Sequence, residues 1–245
     1  FLKKNIGNLI VSKYIKQWMK KELKNYPYLL SHCIPHYTMG CKRILLSNHW
    51  LSSLKAKHCT LIVKPIKQIT SNSIIVAENQ QVKMDTIIYA TGFHATQFLS
   101  SMTIKGMNDL DLHHDLWENN RKIQSYLGIV IHNVPNFFML YGPNTNLGHN
   151  SIIFMMECQA NYITKCIKHM MINNIKAINI KKEQVINYQA NIKKRMKYTT
   201  FTSSCTSWYK NKNGDITNNS PFTTIEYWYH TFINTVTEQF YHIYK

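Results

Sequence analysis

Apolar residues recur at helical spacing in two long stretches of the chain. Over residues 8–24 they alternate with lysines and stop before Pro27, and over residues 151–171 they cover a broad face. Side chains three and four positions apart lie on one face of an α-helix. We therefore predict a basic amphipathic helix near the start, packed on its own protein rather than on a membrane, and a long helix after residue 150.

Shorter runs of β-branched and aromatic residues predict strands between these helices. The runs CTLIVK and SIIVAE lie between residues 59 and 85, separated by Pro65 and polar residues, and predict a small sheet. The segment DTIIYATGF predicts a strand at residues 86–89, and YLGIVI and NFFMLYG predict two more. A last aromatic helix or strand is expected near residues 227–232.

The composition of the 245 residues limits the kinds of partner. With 29 lysines and arginines against 12 acidic residues, the net charge is +17, which suits nucleic acid, an anionic membrane or a polyanionic cofactor. The basic residues are scattered through a chain rich in Asn, Ile, Lys and Tyr, so we attribute most of the charge to compositional bias. We expect no specific nucleic-acid binding. No apolar run reaches the roughly 18 residues that cross a bilayer.

Cysteine and histidine positions argue against a metal site. The six cysteines have irregular spacing and form no CxxC pair, unlike the ligand sets of structural zinc sites. We expect reduced thiols in a cytoplasmic protein. The doublet His113 and His114 lies among loop-forming residues, where we expect a solvated pair.

The stretch FFMLYGPNTNLGHNS joins a predicted strand to the long helix after residue 150. Unpaired N–H groups at a helix start favour an anionic or electron-rich ligand. Gly142 and Gly148 would allow close approach of such a ligand. The residues themselves leave two interpretations open, a capped helix and a ligand-binding loop. The candidate ligand-binding residues are Asn144, Thr145, Asn146, Leu147, Gly148 and His149.

Four ordered stretches resemble motifs of the class B flavoprotein monooxygenases, the family of the Baeyer–Villiger monooxygenases and their flavin-containing relatives. The stretches are GCKRILLS at residues 40–47, DTIIYATGF at 85–93, GPNTNLGHNS followed by ECQANYI from 142 to 163, and CTSWY at 205–209. Within the family they are most similar to the hydroxyacetophenone-type monooxygenases.

The resemblance implies an α/β fold, the C-terminal part of a flavoprotein with two Rossmann-like dinucleotide-binding domains. Residues 1–92 would be the remainder of the NADP-binding domain with a leading amphipathic helix, and residues 93–245 the C-terminal part of the FAD-binding domain. The family's glycine-rich GxGxxG fingerprints and its FxGxxxHxxxW-like fingerprint are absent from the chain, which begins at Phe1. We therefore expect the N-terminal half, with the first FAD-binding βαβ unit, to be missing, and this chain alone to be inactive.

The same resemblance implies roles for individual residues. Lys42 matches the lysine that contacts NADP. Arg43 matches the catalytic arginine that stabilises the negative flavin peroxide, a task suited to a permanently charged side chain. Trp208 matches the tryptophan that closes over the nicotinamide.

Two further segments are implied to contact cofactors. Ala90, Thr91 and Gly92 match the small residues where the two nucleotide domains meet. Residues 144–150 would lie beside the isoalloxazine ring of FAD, with the positive end of the following helix directed at it.

The expected activity is FAD- and NADPH-dependent oxygenation of a small molecule by O2, with oxygen insertion next to a ketone as the first choice. Oxygenation of a nitrogen or sulfur atom is one alternative, and a truncated non-catalytic product is another. The run NGDITNNSPF departs from the family's NGRxxxxWP-like pattern, because Asp215 and Ser220 stand where Arg and Trp are usual. This departure leaves the substrate side open.

Overall fold

The computed structural model describes residues 5–119, 121–148, 150–234 and 236–244. The chain divides into two compact units. The small unit comprises Leu9–His36 and Leu45–Phe93, and the large unit comprises Tyr37–Ile44 and His94–Lys245 together with Phe1–Asn8. The assignment of residues 1–92 to an NADP-binding domain and 93–245 to an FAD-binding domain stays a prediction.

Three helices come first in the chain. A residue directly after α1 forms a small core with one residue from each of α2 and α3. The helices are α1 (Ile6–Glu22), α2 (Pro27–Cys33) and α3 (Trp50–Leu54). The core of the small unit is formed by Leu23, Leu29 and Leu51. Pro27 opens α2, at a position where its missing N–H costs no helical hydrogen bond.

Helix α1 confirms the predicted helix. Met19, near its end, packs against the core of Leu23, Leu29 and Leu51, while none of the helix's side chains is fully buried and Leu9 and Ile10 are mostly exposed. The packing of the rest of α1 on its own protein stays a prediction.

The small sheet predicted between residues 59 and 85 is confirmed as an antiparallel meander. Its strands are β1 (Ile66–Ile69), β2 (Ser73–Val76) and β3 (Gln81–Lys83), in the order β1-β2-β3. Strand β2 lies within SIIVAE, whereas CTLIVK is not a strand and β1 begins only after Pro65. Proline cannot donate a ladder hydrogen bond, which fits its place just outside the strand.

The strand predicted at residues 86–89 is not formed. Residues 86–94 have no regular secondary structure, and the side chains of Ile88 and Phe93 are 88% and 96% exposed. A strand exists only where a neighbour accepts and donates its backbone hydrogen bonds. No such neighbour occurs among the described residues, so the β-forming composition of this segment is not realised.

The large unit carries the long helix and a two-stranded sheet. Its elements are α4 (Ile152–Ile172), β4 (Ile175–Ile180), α5 (Lys182–Met196), α6 (Thr224–Ile233), α7 (Val236–Gln239) and β5 (Phe240–Tyr244). Strands β4 and β5 pair antiparallel. The core lies between them and the helices, with Tyr162 and Cys166 of α4 and Ile178 of β4 among its buried side chains. Helix α4 confirms the periodic pattern over residues 151–171, the helix or strand expected near residues 227–232 is the helix α6, and α5 was not predicted.

The strands predicted from YLGIVI and NFFMLYG are wrong. Leu127 and Gly128 have φ of +55° and +68°, which no extended strand allows. The chain turns back at once, and the amide nitrogen of Tyr126 donates to the carbonyl oxygen of Val130 at 2.9 Å. The apolar residues of YLGIVI are buried as a tight turn, so burial and not strand pairing explains their composition.

Candidate functional site

The loop before α4 is held by a second segment near the end of the chain. Asn144 is 3% exposed; its amide nitrogen donates to the carbonyl oxygen of Thr217 at 2.8 Å. Its Nδ2 donates to the carbonyl oxygens of Ile216 at 2.9 Å and Asn219 at 3.2 Å. The donors of Asn144 are thus occupied by the protein itself, and this residue shapes the loop.

Asn146 continues the same pairing in parallel register with Asn219. The amide nitrogen of Asn146 donates to the carbonyl oxygen of Asn218 at 2.9 Å, and its Nδ2 donates to Oδ1 of Asn219 at 2.7 Å. Its own Oδ1 accepts a hydrogen bond from the hydroxyl of Tyr141 at 2.8 Å. Residues 217–220, all buried, therefore form the supporting partner of the predicted ligand-binding loop.

Position 142 requires glycine because of packing within the protein, and not because of the ligand contact that was predicted. A Cβ atom at this position would lie 2.2 Å from the carbonyl oxygen of Gly128. A Cβ atom on Gly128 would in turn lie 2.2 Å from Cγ2 of Thr145, whose Oγ1 donates to the carbonyl oxygen of Gly142 at 2.7 Å. The absent Cβ at Gly142 therefore admits the protein's own backbone, and the interpretation that it admits a ligand is corrected.

The end of the loop leaves hydrogen-bond donors for a ligand. The amide nitrogens of Leu147 and Gly148 have no acceptor in the part of the chain that the structure describes. They lie just before α4, whose N-cap Ser151 accepts from the amide nitrogen of Phe154 at 3.1 Å. Free amides beside the positive end of a 21-residue helix suit the electron-rich edge of a flavin ring. The predicted His149 lies outside the described residues.

A disulfide between Cys41 and Cys205 joins two of the predicted motifs. The Cα atoms are 6.6 Å apart, although the residues are separated by 164 positions in sequence. The expectation of reduced thiols is therefore wrong for two of the six cysteines; Cys33, Cys59, Cys158 and Cys166 are free. Spacing along the chain cannot reveal a pairing between segments so far apart.

Arg43 follows Cys41 closely and lies on the surface of the large unit. Burial raises the pKa of the Tyr141 and Tyr209 hydroxyls, and the positive charge of Arg43 opposes that rise in both. The guanidinium thus acts on two tyrosines, one directly before the loop and one in the CTSWY motif. The Nζ atom of Lys42 lies 4.9 Å from the centre of the Tyr37 ring, in a cation–π contact.

Trp208 presents half of its surface to solvent, with 47% of the residue exposed. Its ring centre lies 4.5 Å from that of Tyr209, and its carbonyl oxygen accepts from Nδ2 of Asn218 at 3.4 Å. The segment that supports the loop before α4 therefore also touches the backbone of Trp208.

The large unit brings together most of the predicted site residues. It contains Lys42, Arg43, the loop of residues 144–148 and Trp208. Ala90, Thr91 and Gly92 belong to the small unit and are all exposed. Gly92 has a φ of +85°, and a Cβ there would meet nothing within 4 Å, so open space surrounds it within its own unit.

Sequence reasoning missed the supporting segment and the disulfide. A signal for the first was present, because Asn218, Asn219 and Ser220 form a run of short polar residues within an aromatic tail. Across the described ranges, no cluster of three His, Cys, Asp or Glu side chains could hold a metal ion. Among those same residues, no helix has both the length and the hydrophobicity that a membrane span requires.

Comparison with known proteins identifies relatives along most of the chain, although no family model matches it. The FAD-binding monooxygenase ktnD of Aspergillus niger is 37% identical over 217 residues, which cover 86% of this chain and 35% of that protein. A Baeyer–Villiger monooxygenase of Pseudomonas aeruginosa is 31% identical over 201 residues, which cover 82% of this chain and 37% of that protein.

Solved structures share the fold. Cyclohexanone monooxygenase from Rhodococcus, bound to NADP+, matches with a TM-score of 0.88 and 19% identity over 100% of this chain and 46% of its own. A steroid monooxygenase bound to NADP matches with a TM-score of 0.86 and 20% identity, over 100% of this chain and 47% of its own. The predicted fold class, the C-terminal part of a two-domain flavoprotein, is confirmed.

The chain spans about a third of the length of the curated relatives that it matches. The activity of each whole relative therefore depends on residues that have no counterpart in this chain. By sequence along most of its length, and by fold, the chain belongs to the family of FAD-binding monooxygenases that includes the Baeyer–Villiger monooxygenases.

Proposed function

We propose that the chain forms the flavin-facing and NADP-facing part of an FAD- and NADPH-dependent monooxygenase. The observation that carries this proposal is the convergence, in the large unit, of three predicted motifs. Cys41–Cys205 links the segment of Arg43 to the CTSWY motif, and Asn218 and Asn219 link that motif to the loop before α4. The FAD-binding relative from Aspergillus niger and the NADP-bound steroid monooxygenase support the same cofactors here.

The residues present fit FAD at the loop before α4. The free amides of Leu147 and Gly148, with the start of α4 behind them, would hold electron-rich atoms of the flavin ring. Thr145 and Asn146 would act indirectly, because their side chains fix the loop. FAD, when bound, supplies the electron transfer and the activation of O2.

Arg43 and Lys42 would supply fixed positive charge. The guanidinium of Arg43 is exposed and would stabilise negative charge in the site, a role that suits the permanently charged arginine side chain. Lys42 would contact the 2'-phosphate of NADP(H), which distinguishes this cofactor from NAD. The half-exposed indole of Trp208 would cover the nicotinamide side of the site.

The substrate class that we propose is a ketone, oxidised by insertion of an oxygen atom next to the carbonyl. A retained arginine at position 43 favours this outcome, because attack on a carbonyl carbon needs an anionic nucleophile, and a cation stabilises that anion. Oxygenation of nitrogen or sulfur is the second candidate. The likeness to hydroxyacetophenone-type enzymes stays a prediction.

We propose that residues outside this chain, equivalent to the N-terminal part of its relatives, complete the cofactor sites. Apolar side chains with almost no cover in the small unit, Leu46, Ile88 and Phe93, support a covering polypeptide there. On this proposal the chain alone does not turn over. A non-catalytic product remains the alternative, and the cytoplasmic location stays a prediction.

The test joins the chain to the N-terminal part of the Aspergillus niger relative and measures NADPH oxidation and product formation with a panel of ketones and sulfides. We expect ester or lactone products from ketones. Arg43→Ala should abolish oxygenated product while flavin reduction by NADPH continues, and Arg121→Ala, at another exposed arginine, should leave both unchanged. Loss of flavin reduction together with oxygenation in Arg43→Ala would contradict the assigned role.

A further inference from the structure

The disulfide joins the segments that carry three of the residues assigned to cofactors. Cys41 directly precedes Lys42 and Arg43, and Cys205 lies three positions before Trp208. Cys41 is fully buried and Cys205 is half-buried. These residues are 164 positions apart in sequence, so the chain alone does not restrict the distance between the segment of Arg43 and that of Trp208. The covalent bond does.

The segment around Cys205 is compact on its own side of the bond. The Nζ atom of Lys210 donates to the carbonyl oxygen of Ser203 at 2.5 Å and to that of Cys205 at 3.0 Å. Lys210 therefore ties the two ends of residues 203–210 together. Tyr209 anchors the far end, because it is buried in the core and hydrogen-bonds Asn219. The carbonyl oxygen of Trp208 accepts only the long 3.4 Å hydrogen bond from Asn218, which is correspondingly weak. The disulfide is the covalent link of residues 203–208 to the segment of Arg43.

We propose that the Cys41–Cys205 bond is a redox-sensitive positioning element, which sets Trp208 against Arg43 and whose reduction by glutathione weakens NADP binding. The effect on NADP binding rests on the proposed function, whereas the existence of the disulfide does not. With the bond closed, the segments that carry the indole of Trp208 and the guanidinium of Arg43 are covalently linked, so the distance between them is restricted. With the bond open, residues 203–208 lose their covalent tie to the segment of Arg43, and the indole of Trp208 is no longer held over the nicotinamide.

The exchange follows ordinary thiol chemistry. A glutathione thiolate attacks Sγ of Cys205, the more accessible sulfur, the S–S bond breaks, and Cys41 leaves as a thiolate that takes up a proton. A second glutathione thiolate attacks the glutathione sulfur of the mixed disulfide and releases Cys205. Two electrons thus pass to the protein, and the products are one oxidised glutathione and two protein thiols.

The first experiment tests the bond without any cofactor. The full-length protein is equilibrated with oxidised glutathione, denatured in the presence of iodoacetamide, and analysed by mass spectrometry before and after reduction. Of the six cysteines of this chain, we expect four to be alkylated before reduction and all six afterwards, with the peptides that contain Cys41 and Cys205 recovered cross-linked. Alkylation of all six before reduction would overturn the proposal.

The second experiment measures the NADP+ dissociation constant of the FAD-loaded protein by calorimetry, in oxidised and in reduced glutathione. We expect reduction to weaken binding about tenfold, within the usual range of coupling between two sites. Cys41→Ser and Cys205→Ser should show the weaker binding in both buffers. The matched control Cys33→Ser, at a free and half-buried cysteine, should respond to glutathione like the unaltered protein.

The two experiments separate the possible failures. A disulfide that forms without changing the NADP+ dissociation constant would overturn the positioning role. The comparison of buffers uses the unaltered protein, so it holds even if the serine variants fold poorly. Absence of NADP+ binding in every form would instead overturn the proposed function. The count of alkylated cysteines would still show whether the disulfide forms.

Discussion

Asn146 and Asn219 face each other across two loops that are 73 positions apart, with Nδ2 of Asn146 donating to Oδ1 of Asn219 at 2.7 Å. Both side chains are buried. Because Oδ1 of Asn146 also accepts from the hydroxyl of Tyr141, one amide connects three parts of the large unit. The loop before α4 is therefore held by the protein's own hydrogen bonds.

Asn146→Ala should destabilise the protein by about 1–3 kcal/mol, because it leaves the carbonyl group of a buried Asn219 side chain without its donor. The measurement is the free energy of unfolding in urea. Asn187→Ala, at an exposed asparagine on α5, is the matched control and should cost nothing. Equal costs for the two variants would mean that the buried amide pair contributes no stability.

Gly142→Ala should also be destabilising, by about 1–3 kcal/mol, since the new Cβ overpacks the backbone of Gly128. The structure gives the contact, 2.2 Å to a carbonyl oxygen, which cannot rotate away as a side chain would. Gly7→Ala, within α1, should be neutral or stabilising because alanine is the better helix former. Thermal unfolding of both variants checks this, and an unchanged melting temperature in Gly142→Ala would contradict the packing argument.

Acid should weaken the start of α6. Burial opposes ionisation of Glu226, but hydrogen bonds from Thr223 and Arg195 outweigh it and lower the pKa of the carboxyl group. A carboxylate with a lowered folded-state pKa contributes stability above its unfolded pKa, near 4.5, and loses that contribution as the pH falls through the folded pKa.

The test compares unfolding free energies at pH 7 and pH 3 for Glu226→Gln and for the unaltered protein. The variant should lose less stability on acidification than the unaltered protein, because it has no charge there to lose. Glu183→Gln, at an exposed carboxylate, serves as the control and should follow the unaltered protein. An identical loss in Glu226→Gln would show that the capping carboxylate is not responsible.

Trp208→Ala should weaken NADP+ binding by about tenfold in the full-length protein, in keeping with the cost of losing an aromatic contact to a ligand ring. Since the side chain is half-exposed, its removal should change the free energy of unfolding by no more than about 0.5 kcal/mol. Trp50→Ala, at another exposed tryptophan, is the control for binding. Unchanged affinity in Trp208→Ala would remove this residue from the proposed site.

Two helices, α1 and α4, were predicted from the sequence, but α5 and several strands were not. Helices α1 and α4 carry their period within a single stretch of chain, so local pattern suffices. Residues 126–130 have the composition of a strand, yet the positive φ of Leu127 and Gly128 makes them a turn. Their hydrophobicity reports burial, and burial alone does not distinguish a strand from a packed turn.

The site residues were predictable only as motifs. What holds the motifs together, the pairing of residues 144–146 with residues 217–220 and the Cys41–Cys205 bond, joins positions between about 70 and 164 apart. Pairings between positions so far apart cannot be predicted from a single sequence. Ser220 departs from the family pattern, yet its amide nitrogen donates to the carbonyl oxygen of Asn146, and the run of residues 218–220 supports the loop before α4.

The unpaired segment of residues 86–93 has a consequence for handling the protein. Among the described residues this segment pairs with no strand, and its side chains Ile88 and Phe93 are almost fully exposed, so a second chain can add to it. Produced by itself, this chain should therefore self-associate through that segment. A charge at position 88, as in Ile88→Lys, should keep it monodisperse in light scattering.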